Sequence, residues 1–175
     1  MNDFEIAREA VSHFIATGSK KIALITTERY FNVSESRKEG YVAALKANEI
    51  EVDNRLILTL PHDRDNTNLI TEFFQHNEIE AILCVNEMFA VQCMSIIQQL
   101  GYTVPEDISI IGFTDGILSR YSSPKLSTIA QHGKKMGELA AKLLINRMES
   151  VQMVEEPFKT EVINATLIKR GSTIN

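Results

Sequence analysis

Apolar and polar positions alternate along the chain in two different rhythms. Residues 5 to 17 carry Ile6, Ala7, Ala10, Val11, Phe14 and Ile15 at helical spacing, with Asn2 and Glu5 placed as a capping box and Gly18 as a stop. Lys21 to Ile25 then reads as a short buried strand. The same alternation repeats downstream. Helices are predicted over Ser34 to Asn48, Asn66 to Gln75 and Glu87 to Leu100, and strands over Leu56 to Leu60, Ala81 to Val85 and Ile108 to Phe113. Several strands are apolar at nearly every position, which requires a helical layer on each face. The pattern therefore predicts an α/β fold, a doubly wound and mostly parallel sheet flanked by helices.

The last third departs from that rhythm. Pro124 to Ile129 reads as an extended connector. His132 to Met148 is a strong amphipathic helix, with Met136, Leu139, Ala140, Leu143, Leu144 and Met148 on one stripe. Val151 to Pro157 reads as a loop, Lys159 to Ile168 as a final strand, and Lys169 onward as a polar tail. Ligands of such sheets gather at the carboxyl ends of the strands. Thr26 to Arg37, Pro61 to Asp65, Asn86 to Met88 and Thr114 to Ser119 are thus the segments to inspect.

Composition narrows the function. The 175 residues suit about one domain, and a hydrophobic share of 44% with 23% charged residues suits a packed core. The net charge of -5 offers no diffuse attraction for nucleic acid or anionic lipid. No apolar run approaches a membrane span, and the N-terminus lacks the pattern of a secretory signal. Cys84 and Cys93 cannot form a disulfide framework and sit in apolar segments, so both read as core in a reduced, cytoplasmic setting.

Catalytic and metal chemistry find little support. His13, His62, His76 and His132 have no short-range partner for a zinc pair, and a surface role suits each. Asp63 to Asn68 resembles the start of a calcium loop, but Asn68 replaces the turn glycine and Phe74 the bidentate glutamate. Helix capping explains that run better. No nucleophile elbow, phosphate loop or dinucleotide turn is present, so neither a metal nor a cofactor is expected. Glu87 to Leu100 is apolar almost all round, which points to a partner chain on its outer side.

Several segments resemble LacI/GalR-type transcription regulators. Gly18 to Ile25, GSKKIALI, looks like "GH–R–IALI". Arg37 to Leu45 resembles "R–x–x–G–Y–x–x–A–L", and Ala81 to Ala90, AILCVNEMFA, is similar to "AIFAANDxMA". Leu100 to Asp115, LGYTVPEDISIIGFTD, is close to "LGLRVPEDISVIGFDD". Ser123 to Gln131 looks like "SPPLTTIRQ", and Ile168 to Thr173 resembles "VVRGST". Order and spacing hold over nearly the whole chain.

The resemblance implies one lobe of a periplasmic-binding-protein-like fold, the C-terminal effector-binding lobe of a longer, truncated regulator. Residues 1–131 would form that lobe, 132–150 a crossover helix completing an absent N-terminal lobe, and 151–175 the return strand and tail. It implies a small-molecule effector, commonly sugar-like, and no enzymatic reaction. It implies a homodimer, with domain swapping through 132–150 as one arrangement, and operator DNA bound only through a headpiece absent here. Arg37, Asn86, Phe31, Thr114 and Asp115 fall on effector-site positions. A surface Arg37 and a purely capping Asn86 are the plainer alternatives. Thr114 stands where the family carries aspartate, which favours a ligand other than a typical neutral sugar, an anionic one, or a weakened site; Asp115 is suited to holding the turn. Met88, Phe89, Val91, Gln92 and Met94 fall on the implied dimer surface. A periplasmic sugar-binding protein and a small α/β hydrolase are the competing readings.

Overall fold

A computed structural model describes residues 1–28, 32–62, 64–149 and 159–174. In chain order the elements are α1 (Asp3–Ala16), β1 (Ile22–Thr27), α2 (Asn32–Ala47), β2 (Ile57–Leu60, after a 3-10 turn at Asn54–Leu56), α3 (Thr67–His76), β3 (Ala81–Cys84), α4 (Glu87–Gln99), β4 (Ser109–Phe113), α5 (Ile117–Tyr121), β5 (Ser127–Ala130), α6 (Gly133–Glu149) and β6 (Thr166–Ile168). The six strands form one sheet in the order β2-β1-β3-β4-β5-β6. Neighbours are parallel except β5 and β6, which run antiparallel.

The four inner strands are buried along their whole length, as the apolar runs of β1, β3 and β4 require; β5, Ser127–Ala130, is buried although half of it is polar. Strand order reverses between β1 and β3. Right-handed crossovers on either side of that point send helices to opposite faces. On one face α1 packs along α2, and on the other α3 packs beside α4, with α5 against the far flank of α4. The α1–α2 contact is set by Gly40. A Cβ there would meet the Phe4 carbonyl oxygen and lie 2.9 Å from the Ala7 Cβ, so only glycine lets the helices approach so closely.

Several local expectations are corrected. Asn2 makes no side-chain capping bond to α1; its Oδ1 instead accepts the Ala165 N–H at 2.8 Å, tying the chain start to the segment before β6. The extended connector at 124–129 ends in a true inner strand, β5. The final strand is shorter than expected, Thr166–Ile168, and the loop expected over Val151 to Pro157 lies outside the described residues. Two residues of the polar tail, Ser172 and Thr173, are buried. Ser172 Oγ donates to the Ile110 carbonyl at 2.7 Å and accepts the Ser127 N–H at 2.7 Å, while Thr173 Oγ1 lies 2.9 Å from Ser127 Oγ. Hydroxyls close these bonds without carrying charge into the interior, which is why a polar sequence can be core.

The apolar surface of α4 is also corrected in part. Phe89 and Met94, expected at a dimer surface, are 2% and 3% exposed within one chain. The sheet, α3 and α5 cover that side of the helix, so its own lobe supplies most of the burial. Met88 is exposed, and Val91 and Gln92 are half-buried, so the outward ridge is narrower than the sequence suggests. The helix α6 is the opposite case. None of its residues is buried, and Met148 is 76% exposed. It does not fold back onto the lobe. No helix among the described residues is long and apolar enough to cross a membrane.

The Gly40 contact gives a direct test. Gly40→Ala should destabilise the fold by about 1–3 kcal/mol, the usual range for overpacking a tight interface. Thermal unfolding should show a drop of several degrees.

Candidate functional site

The carboxyl ends of β1, β3, β4 and β5 form one rim, and Arg37 occupies its centre. Arg37 lies in α2, which follows β1. Its Nη1 donates to the Val85 carbonyl beyond β3 at 2.6 Å, and its guanidinium sits 3.8 Å from the ring centroid of Phe113 at the end of β4. It therefore bridges the strand reversal, where ligands of such sheets are held. Nε and Nη2 each lie 2.8 Å from Asp3 Oδ1, at the start of α1. Only 6% of Arg37 is exposed. Burial pulls its pKa below the ordinary arginine value, and the Asp3 carboxylate opposes that shift. Arg37 is thus not the surface cation of the plainer alternative but a buried charge with an internal counter-ion.

Asn86 caps α4. Its Oδ1 accepts the Phe89 N–H at 2.7 Å, while the residue stays partly accessible. Its neighbour Glu87 accepts the Ser119 N–H of α5 at 2.8 Å, and any Cβ on Gly116 would overlap the Glu87 carboxylate. Thr114 follows β4 and is exposed, with φ at +79°, a region that a β-branched residue rarely adopts. Its N–H donates to the Ile129 carbonyl at 3.0 Å, and its Oγ1 donates to Gln131 Oε1 at 3.2 Å. Both bonds hold the turn against β5.

Asp115 points into the protein rather than the rim. Its Oδ1 accepts from Arg170 Nη2 at 2.6 Å and Thr128 Oγ1 at 3.0 Å, and its Oδ2 lies 3.4 Å from Arg120 Nη2. Burial alone would raise its pKa, but the bonds from Arg170 and Thr128 outweigh burial and hold it below the usual carboxylate value. Asp115 accordingly holds the turn and the tail. Phe31, the fifth expected site residue, lies outside the described residues.

Beside the rim, an open cavity of about 520 Å³ runs over the ends of β1 and β2. Thr26, Thr27, Glu28, Ser34, Glu35, Lys38 and Thr59 line it. It flanks the strand reversal rather than covering it, so the rim is open to whatever stands above the strand ends. Cys84 and Cys93 are fully buried, and burial, followed by the neighbouring Cys93 thiol, pushes the Cys84 thiol up, which suits core and not nucleophile.

Residues 11–173 match a family described as the periplasmic binding protein-like domain. The chain belongs to this family. Among periplasmic binding protein-like relatives, it is 32% identical to the Probable HTH-type transcriptional repressor ExuR of Bacillus subtilis, over 98% of this chain and 53% of that protein. It is 32% identical to the Ribose operon repressor of Haemophilus influenzae, over 93% of this chain and 49% of that one. A LacI family transcriptional regulator of Enterococcus faecium with bound ribose superimposes with a TM-score of 0.84 at 28% identity, covering 98% of this chain and 63% of the other. The likeness to LacI/GalR-type regulators therefore extends over both sequence and fold. The chain spans about half the length of the curated relatives it matches.

Sequence reasoning placed Arg37, Asn86 and Thr114 on one rim but missed Asp3, Glu87, Phe113, Gln131 and Arg170. Glu87, Phe113, Gln131 and Arg170 all lie inside the segments that resemble the regulators, and Glu87 also lies just after β3, which were the available signals. Asp3 shows only as an acid in a helix first turn.

The Asp115 environment predicts acid sensitivity. A carboxyl whose folded pKa is depressed contributes stability that is present above its unfolded pKa, about 3.9, and is lost as pH falls through the folded value. Asp115→Asn should lower stability at neutral pH and flatten the fall in stability below about pH 4. Urea midpoints measured across that range check it.

Proposed function

We propose that this chain is the effector-sensing and dimer-forming part of a LacI/GalR-type DNA-binding transcription regulator. The observation that carries the reading is the rim at the strand reversal, with Arg37 against Phe113 at its centre and the accessible Asn86 and Thr114 just beyond the ends of β3 and β4. A small metabolite, sugar-like in size and polarity, binds over that rim, against a first lobe that the matched regulators have length to supply. Binding shifts the balance between two lobe arrangements and so alters how paired headpieces meet operator DNA. No bond is made or broken. The relatives favour this reading over a periplasmic sugar-binding protein or a hydrolase, because those named above are transcription regulators or repressors.

In this reading residues 1–131 are the second lobe, 132–150 cross to the first lobe, and 151–175 return. The exposed stripe of α6 supports the crossing. Burying residues such as Leu144 and Met148 stabilises by about 1.5–3 kcal/mol each, which an isolated α6 forgoes. Exchange of α6 between two copies is the other way to cover it. The dimer forms through the outer ridge of α4, Met88, Val91 and Gln92, continued by Ile117 and Tyr121 of α5. The latter two are 71% and 83% exposed. Gln98 Nε2, donating to the Ser123 carbonyl at 2.9 Å, keeps the two helices side by side.

A mobility-shift assay tests the reading. The complete gene product should retard DNA from upstream of its own gene, and one metabolite among pentoses, hexoses, sugar acids and nucleobases should change the midpoint at least fivefold, roughly 1 kcal/mol of coupling. Ile117→Asp should shift the sedimentation mass to that of a monomer and weaken DNA binding. A product that binds no DNA, or binds it with no response to any of these metabolites, would contradict the proposal.

A further inference from the structure

Among the described residues, three other than glycine hold a positive φ: Glu49 at +59°, Thr114 at +79° and His132 at +54°. Glu49 has an ordinary cause. It ends α2, with its N–H on the Lys46 carbonyl and the Ile50 N–H on the Leu45 carbonyl, the usual left-handed helix stop. Thr114 and His132 end no helix. Thr114 is β-branched, the side-chain type least suited to this region. His132 lies directly before α6, and its carbonyl accepts the Met136 N–H at 3.1 Å. That is the place of a helix cap, where the backbone is normally extended. Neither residue is buried, so packing does not force either conformation.

What holds them is a run of hydrogen bonds across the ends of β4, β5 and β6. The Thr114 N–H donates to the Ile129 carbonyl at 3.0 Å, and its Oγ1 donates to Gln131 Oε1 at 3.2 Å. In the next residue, His132, Nε2 lies 2.9 Å from Thr166 Oγ1 at the start of β6. Gln131 and His132 are the only residues between β5 and α6. Helix α6 has no buried residue, so no packed face on the lobe fixes its direction. The angle at which it leaves the sheet is therefore set at these two residues. Unfavourable backbone angles persist only where the surroundings hold them, and they collect at switch regions.

We propose that Thr114 and His132 form a strained catch at the base of α6. The Thr114–Gln131 and His132–Thr166 bonds hold both residues in the left-handed region. Turning α6 relative to the sheet breaks these bonds, and both residues return to ordinary backbone angles. The strain released offsets part of the bonding lost, so two directions of α6 lie close in free energy. A modest load on α6 or on Thr114 then selects between them. Gln131 and Thr166 act as positioning residues, each through the strained neighbour it holds. The catch concerns this chain alone; only its consequence for DNA binding rests on the effector-sensing reading above, in which α6 joins the two lobes.

Hydrogen exchange of the complete gene product tests the catch at the Met136 amide, whose N–H is bonded to His132. Thr114→Asn accepts the left-handed backbone and keeps an N–H donor for Gln131, so it should slow that exchange by about threefold or more. Thr114→Val keeps the branched side chain and loses the donor, and Thr166→Val removes the partner of His132. Each of these two should speed the exchange by about threefold or more. Opposite signs at one position separate a strained catch from a turn that merely packs, which all three changes would loosen. Exchange that is faster in all three variants, or unchanged in all three, would overturn the catch. In the mobility-shift assay the DNA midpoint should move in opposite directions for Thr114→Asn and Thr114→Val. The expected exchange pattern with no DNA retarded by any form would leave the catch standing and count against the sensing reading. DNA retardation with no change in exchange would overturn the catch and leave the sensing reading standing.

Discussion

The structure depends on one buried cation. Placing a guanidinium at the strand reversal of a parallel sheet is unfavourable unless its charge and its N–H groups are answered. Asp3 answers the charge, the Val85 carbonyl takes a further N–H, and the Phe113 ring lies against the face. Each partner comes from a different element, α1, the end of β3 and the end of β4. Arg37 therefore fixes the start of α1 against α2 and sets the level of the strand ends. The absence of a side chain at Gly40, one turn further along α2, lets α1 come close enough for Asp3 to reach.

A second set of charges holds the far side of the rim. Asp115 gathers Arg170 from the tail, Thr128 from β5 and Arg120 from α5. Glu87 holds the opposite side of the same short helix through Ser119. The turn after β4, the return strand and the outward-facing α5 are thus joined through a few hydrogen bonds, within reach of Thr114 and Asn86. The two groups that face solvent at the rim and the two large side chains that face outward on α5 share a scaffold.

Much of this was legible in the sequence, for identifiable reasons. Strands such as Ile22–Thr27 and Ala81–Cys84 are apolar on both faces, and that alone required a helix layer on each side. Helix α4 was legible as a helix but misjudged in its surroundings, because periodicity gives no count of neighbours and Phe89 and Met94 are covered within their own chain. The tail misled for a related reason: Ser172 and Thr173 are polar by composition but complete the bonding of Ile110 and Ser127. Asn2 has the signature of a cap, yet its oxygen is taken by Ala165, more than 160 positions away. Site residues in strand-end segments were found by topology. Those supplied from distant positions, Asp3 and Arg170, were not, since local spacing carries no information about which end of the chain meets which strand.

The Asp3–Arg37 pair is the interaction to measure first. A double-mutant cycle with Asp3→Asn, Arg37→Met and the double variant, followed by urea unfolding, isolates their coupling. Each single change should be costly and the pair coupled by about 2–3 kcal/mol, because either residue alone leaves a buried group unanswered. Additivity of the two changes to within about 0.5 kcal/mol would contradict that coupling.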